Sequence, residues 1–233
     1  MGEGLQDRLI LYLIYLLGTA TLMVLLLVLG SRVRHNLRLQ RRQRVSQRLG
    51  VLLAEYINDP YLMEELWERL VRESRGRWRK QILLQHVTEL AYNLTGVYFD
   101  RVQEAYYSFG LQRVSVRKLK SRRWDRVVEG MTELAILEAD EGFDLIKPML
   151  ESRVRPIRRQ ARLALVTLDK AEGLMAMERQ LGSMSNWTYI SILSILQRSA
   201  FKLNAEQLHQ LSTSKNPSSR RLAERIGKFV VTS

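Results

Sequence analysis

The 233-residue sequence has no cysteine, three histidines and four prolines. Without cysteine, a disulfide framework and a thiolate metal site are both excluded. The histidines His35, His86 and His209 stand far apart, with no metal-ligand spacing. Glycine-rich phosphate loops and the GxSxG and HExxH signatures are missing as well. Nor does any stretch alternate apolar and polar residues long enough to suggest a sheet. Acidic residues are also in short supply, 24 against 37 lysines and arginines, for a net charge of +13. Such a balance favours an acidic protein segment, an anionic membrane face or nucleic acid as partner. What remains is a chain of long amphipathic stretches with 46% hydrophobic residues, enough to bury a core in one or two domains. The expected class is all-α.

Residues 9–29, LILYLIYLLGTATLMVLLLVL, carry no charge. A helix of that length is roughly 30 Å long, the thickness of a bilayer's hydrocarbon core. Thr19 and Thr21 are compatible with such a helix because a threonine hydroxyl can bond back to a carbonyl. A cleaved signal peptide fits poorly, since the preceding MGEGLQDR is not basic and no small-residue cleavage pattern follows. Arg32, Arg34, Arg38, Arg41, Arg42, Arg44 and Arg48 follow the span directly. The positive-inside rule then places residues 1–8 outside and the bulk of the chain in the cytoplasm. The same arginines could also grip anionic headgroups. Residues 30–60 are expected to form a basic juxtamembrane helix or linker ending at Asn58-Asp59-Pro60.

Residues 61–121 form the next expected segment. Leu62, Leu66, Trp67 and Leu70 make one stripe, and Trp78, Ile82, Leu83, Val87, Leu90, Ala91 and Leu94 make another, spaced at three and four. A third helix follows Gly96 and runs to Gly110. Its aromatics, Tyr98, Phe99, Tyr106, Tyr107 and Phe109, are read as core. The carboxylates Glu138, Asp140, Glu141 and Asp144 crowd one turn but lack calcium-loop spacing, and are read as capping the helix that Glu141 begins.

Residues 122–233 repeat. EGFDLIKPMLES (141–152) recurs as EGLMAMERQLGS (172–183). The same offset pairs Gly130 with Ala161, Leu134 with Leu165, and Leu137 with Leu168 upstream. Each unit reads as a longer helix, a turn and a second helix, and looser copies start at Asn186 and near Asn216. Pro148 should kink the first EG helix. A period of about 31 residues marks stacked helical hairpins, none of which can bury its apolar face alone.

The stretch RPIRRQARLALVTLD (155–169) resembles the first helix of a HEAT repeat, with proline, arginine and the spaced Ala161, Ala164, Leu165 and Leu168. The whole layout is similar to bacterial single-pass membrane proteins that carry a cytoplasmic HEAT-like region. The resemblance implies an α-solenoid after the transmembrane helix, a bacterial inner-membrane location, and scaffolding or protein binding without catalysis or cofactor. It also implies that some junction arginines bond between repeats.

Basic clusters fall at the hairpin junctions. Arg117, Lys118, Arg122, Arg123, Arg155, Arg158 and Arg159 are the expected partner-binding ridge. Local helix physics does not call for cations at helix N-termini, where they oppose the macrodipole. The expected function is a non-catalytic, membrane-tethered scaffold that holds a membrane-associated or acidic protein. The alternative is a peripheral module that binds anionic lipid or nucleic acid through the ridge. Nucleic acid is the weakest of these partners, because no base-reading motif occurs.

Overall fold

The computed structural model describes residues 3–59, 63–178, 184–198 and 204–231. Within its helices, the side chains of 3–15, 20, 34, 35, 38, 63 and 228–231 lie outside the description. Every regular element among the described residues is helical. The chain divides into two compact units, Met1–Val51 and Leu52–Ser233.

The first unit is helical throughout its described length and belongs to α1, Glu3–Asn58. Leu16, Leu17 and the run from Leu22 to Leu29 are half or more exposed on this helix. Thr19 and Thr21 donate to the carbonyls of Leu16 (2.9 Å) and Leu17 (2.7 Å), so their hydroxyls are satisfied within the helix. The window Leu16–Val33 has a mean hydropathy of 2.0. Among the described residues this is one helix long and apolar enough to cross a membrane, a test that a signal sequence also passes. No break separates the apolar stretch from the arginine-rich one, so the expected linker is continuous helix as far as Asn58.

The second unit holds α2 (Met63–Glu73), α3 (Arg77–Asn93), α4 (Val97–Ser108) and α5 (Gln112–Leu119). It continues with α6 (Trp124–Ile136), α7 (Gly142–Ile146), a 3-10 helix (Lys147–Glu151), α8 (Arg155–Leu168) and α9 (Lys170–Glu178). Then come α10 (Asn186–Arg198), α11 (Ala205–Thr213) and α12 (Pro217–Val231). Of the stripes at three and four, Leu66, Leu70, Ile82, Leu83, Val87 and Ala91 are buried, Trp78 is exposed, and Leu62 lies outside the described residues. Leu83, Leu84 and Val87 of α3, Met131 and Leu134 of α6, and Leu165 of α8 are all fully buried. Each such side chain contributes about 1.5–3 kcal/mol. Tyr106 and Phe109 join them, and the Phe109 ring stacks on Trp67 at 4.3 Å. Tyr98 instead stands half exposed, its ring under the Arg101 guanidinium.

The long helices of the expected repeat units pack in series. α6, α8, α10 and α12 pack each on the next, while the 3-10 helix packs on α8 and α9 packs on both α8 and α11. The position shared by Gly130, Ala161, Ile192 and Ala223 is buried in every unit, and only its size varies. Pro148 does what its ring dictates: α7 stops at Ile146 and the chain continues as 3-10 helix with the proline in its first turn.

The two EG glycines meet different neighbours. A Cβ on Gly173 would lie 2.6 Å from the Leu165 carbonyl oxygen of α8. One on Gly142 would lie 3.5 Å from Leu134 Cβ and 3.1 Å from a Leu168 methyl. Gly173 therefore lets α9 settle on its own first helix, whereas the tight neighbour of Gly142 lies on the following long helix, α8, and its distance to Leu134 is ordinary van der Waals spacing.

The crowded turn after α6 departs from the capping expectation. Glu141 precedes α7 without any side-chain cap bond. Glu138 closes α6 in the left-handed region, φ 47°, with Ala139 N–H donating to Leu134 O (2.9 Å) and Glu138 N–H to Ala135 O (3.2 Å). Gly110 closes α4 by the same pair of bonds. The turn at Glu138 is braced from outside: Gln103 Nε2 donates to the Leu137 carbonyl (3.0 Å), and the Asp140 N–H donates to the Tyr107 hydroxyl (3.1 Å).

Candidate functional site

The junctions between hairpins are built on one serine. Ser121, Ser152, Ser183 and Ser214 recur with the period of the repeat. The hydroxyls of Ser121, Ser152 and Ser214 accept the N–H two residues on, from Arg123 (3.2 Å), Val154 (3.3 Å) and Asn216 (3.1 Å). Each bond turns the chain just before a long helix. Ser183 lies outside the described residues. In two of these junctions an arginine on the new helix reaches back over the turn. Arg158 Nη1 donates to the Ser152 carbonyl (2.6 Å), and Arg220 Nη1 donates to the Ser214 carbonyl (2.9 Å). These pairs stand two full periods apart.

The serine period also exposes a helix that the hydrophobic pattern did not signal. Residues 113–123 look like a basic connector, yet Gln112–Leu119 is α5, packed closely on α6. A Cβ on Gly130 would lie 2.8 Å from the Ser115 carbonyl oxygen, which shows how close that approach is. α5 stands one period before the α7 and 3-10 segment. It is a second helix of the same kind, and Ser121 marks its end.

The expected ridge divides accordingly. Arg117, Arg122, Arg155 and Arg159 are exposed, and among the described residues none of them forms an ion pair. Arg123 is exposed but held by Asp125 at 2.6 Å. Arg158 is half-buried in the back-bond to Ser152. Lys118 requires a correction, since it is buried. Its ammonium is bonded to Glu133, itself buried on α6, and to Glu129 at 2.8 Å. Burial holds the Glu133 carboxyl above the usual carboxylate range, and the Lys118 charge pulls the other way. Helix periodicity turns Lys118 inward beside Val114 and Ser115, which a reading of charge alone does not register. Arg32, Arg41, Arg42 and Arg44 are exposed on α1, and the side chains of Arg34 and Arg38 lie outside the description.

Arg117 instead meets cations from other elements. A cleft of about 250 Å³ is lined by Arg77 and Gln81 of α3, Val114, Arg117 and Lys118 of α5, Lys120 and Ser121 of the turn, and Arg126 of α6. No carboxylate lines it. Arg77, Lys120 and Arg126 are exposed and form no ion pair among the described residues. Arg155, Arg158 and Arg159 on α8 are not part of it. Arg77 lies far upstream of the repeats, which is why charge clustering along the sequence missed it.

A second groove runs along the second helices. It is lined by Lys147, Leu150 and Glu151 of the 3-10 helix, Glu172, Met175 and Ala176 of α9, and Gln210 of α11, with a volume of about 240 Å³. Polar bonds tie these elements across units: Lys147 to Glu172 at 3.5 Å, and Gln210 Nε2 to Glu178 at 2.9 Å. Elsewhere, Glu138, Asp140, Glu141 and Asp144 do not converge. Among the described residues no group of three or more histidine, aspartate or glutamate side chains is placed to hold a metal.

No protein-family model matches the chain, and neither a curated protein nor a solved structure matches it.

Proposed function

We propose that this protein is a membrane-tethered adaptor. In this reading α1 anchors the chain in a bilayer, and the helical unit is a HEAT-like α-solenoid that binds a partner protein on the cytoplasmic side without catalysing a reaction. The observation that carries it is the recurrence of junction bonds at the repeat's spacing: the serine turn at three junctions and the arginine back-bond at two. Stacked repeats present long continuous surfaces, and binding is what such surfaces do well. Mixed polar and apolar lining along the second helices, including Met175, suits a protein segment docked across several hairpins.

Tethering raises the effective concentration of any partner in the same membrane. The exposed arginines after the apolar stretch support an orientation with residues 1–8 outside. The test is in-membrane crosslinking of the full-length protein, with captured proteins identified by mass spectrometry. A Met175→Arg/Ala176→Arg variant serves as the comparison. One protein captured reproducibly by the wild type and lost in the variant is the expected result. Capture that is unchanged in the variant removes the second-helix groove as the docking surface, and no specific capture at all removes the adaptor reading.

A further inference from the structure

We infer that the cleft bounded by Arg77, Arg117, Lys120 and Arg126 binds the phosphodiester headgroup of an anionic membrane lipid. The four cations come from α3, α5, the Ser121 turn and α6. They converge without a carboxylate, although other cations on this chain do have one. Arg69 has Glu65, Arg79 has Glu73, Arg123 has Asp125, and Lys118 has Glu129 and Glu133. Gathering four like charges raises their mutual repulsion, which an anion from outside relieves.

The surroundings suit a phosphoryl group. Arg77 opens α3, so the free amides of that helix N-terminus add to the positive potential, and Arg126 stands in the first turn of α6. Gln81 supplies an amide donor. The Ser121 oxygen already accepts from Arg123, which leaves its O–H free to donate. The volume of about 250 Å³ matches a single headgroup better than a peptide laid across several hairpins.

Two tryptophans favour a lipid source over free phosphate. Trp78 and Trp124 lie in the first turns of the same two helices, 41% and 53% exposed. An exposed indole beside arginines suits a membrane–water interface, where its ring and its N–H are both satisfied. The source assignment also rests on the reading of α1 as an anchor, which keeps bilayer within reach.

The test uses full-length protein with bilayers of phosphatidylcholine alone, or of equal parts phosphatidylcholine and phosphatidylglycerol. Amide hydrogen exchange is followed over 77–81 and 114–126. Flotation with the neutral bilayers reports the anchor separately, whatever happens at the cleft. The expected result is slower exchange in both segments with phosphatidylglycerol only. An Arg117→Ser/Lys120→Ser/Arg126→Ser variant should lose that protection, its lipid dependence weakened about tenfold or more. An Arg155→Ser/Arg159→Ser variant, which removes two cations away from the cleft, should keep it. Equal loss in both variants would mean diffuse attraction and no site. Protection by inorganic phosphate over neutral bilayers would overturn the lipid assignment, as would protection by RNA alone. Equal exchange in the two lipid mixtures would overturn the site itself.

Discussion

The Lys118 ammonium on α5 is bonded to the Glu133 carboxylate on α6, and both side chains are more than nine-tenths buried. Two like turns of the repeat place alanine and isoleucine, Ala164 and Ile195, where α6 has Glu133. The ion pair is therefore a feature of the α5–α6 contact and not of the repeat. Glu129, more than half exposed, completes the arrangement from the rim.

Removing one partner should cost more than removing both. Lys118→Met leaves a buried carboxylate uncompensated, and about 3–5 kcal/mol of stability should be lost. Lys118→Met/Glu133→Leu exchanges the pair for apolar packing and should fall near the wild type. Melting of the full chain in mild detergent, followed by circular dichroism, checks the order. A double variant that melts with the single one would show that the pair itself is worth the whole loss.

Glu133 also makes stability depend on pH. Its folded value is raised, chiefly by burial, so the folded protein binds a proton where the unfolded chain does not. The contribution of this group therefore rises as pH falls through the folded value, and is complete below the unfolded value near 4.5. Glu133→Gln cannot titrate. The wild type should gain on this variant as pH is lowered from neutrality toward 4.5, the gap being read from melting temperatures at each pH. A gap that widens in the opposite direction would mean that Lys118 outweighs burial.

Glycines separate the repeat's contacts from its free surface. Gly173→Ala drives a methyl into the α8 backbone at Leu165, where no side chain can yield, and should cost about 1–3 kcal/mol. Gly227 lies in α12 with its nearest neighbour, a Leu208 methyl, at 3.9 Å. Gly227→Ala should therefore stabilise by about 0.5–1 kcal/mol, through helix propensity. Denaturation of the two variants side by side gives the sign of each.

Much of this was legible in the sequence because the repeat writes the same requirement more than once. The offset that pairs Gly142 with Gly173 also predicts α8, α10 and α12, and Pro148 announces its own break. The ridge was less legible. Arg117 and Lys118 are adjacent and identical in sign, yet one faces solvent and the other faces Glu133. Only the register of α5, hidden in a short basic stretch, distinguishes them. Arg77 belongs to the cleft through a tertiary contact between α3 and α5, which no local pattern encodes.

The junction arginines offer the sharpest contrast, since neighbours in sequence do different work. Arg158 gives its guanidinium to the Ser152 carbonyl and locks the turn before α8, and Arg220 repeats that bond before α12. Arg159 is exposed and forms no ion pair among the described residues. Arg158→Ala and Arg220→Ala should each cost about 1–2 kcal/mol, the worth of a partly buried charged hydrogen bond. Arg159→Ala should change stability by less than about 0.5 kcal/mol. Lysine at 158 should restore little of the loss, because its ammonium is more strongly hydrated and its flexible stem loses more freedom in forming the one bond. Chemical denaturation of the four variants decides it. Equal costs at 158 and 159 would mean that the back-bond contributes nothing and that the recurrence at 220 is incidental to stability.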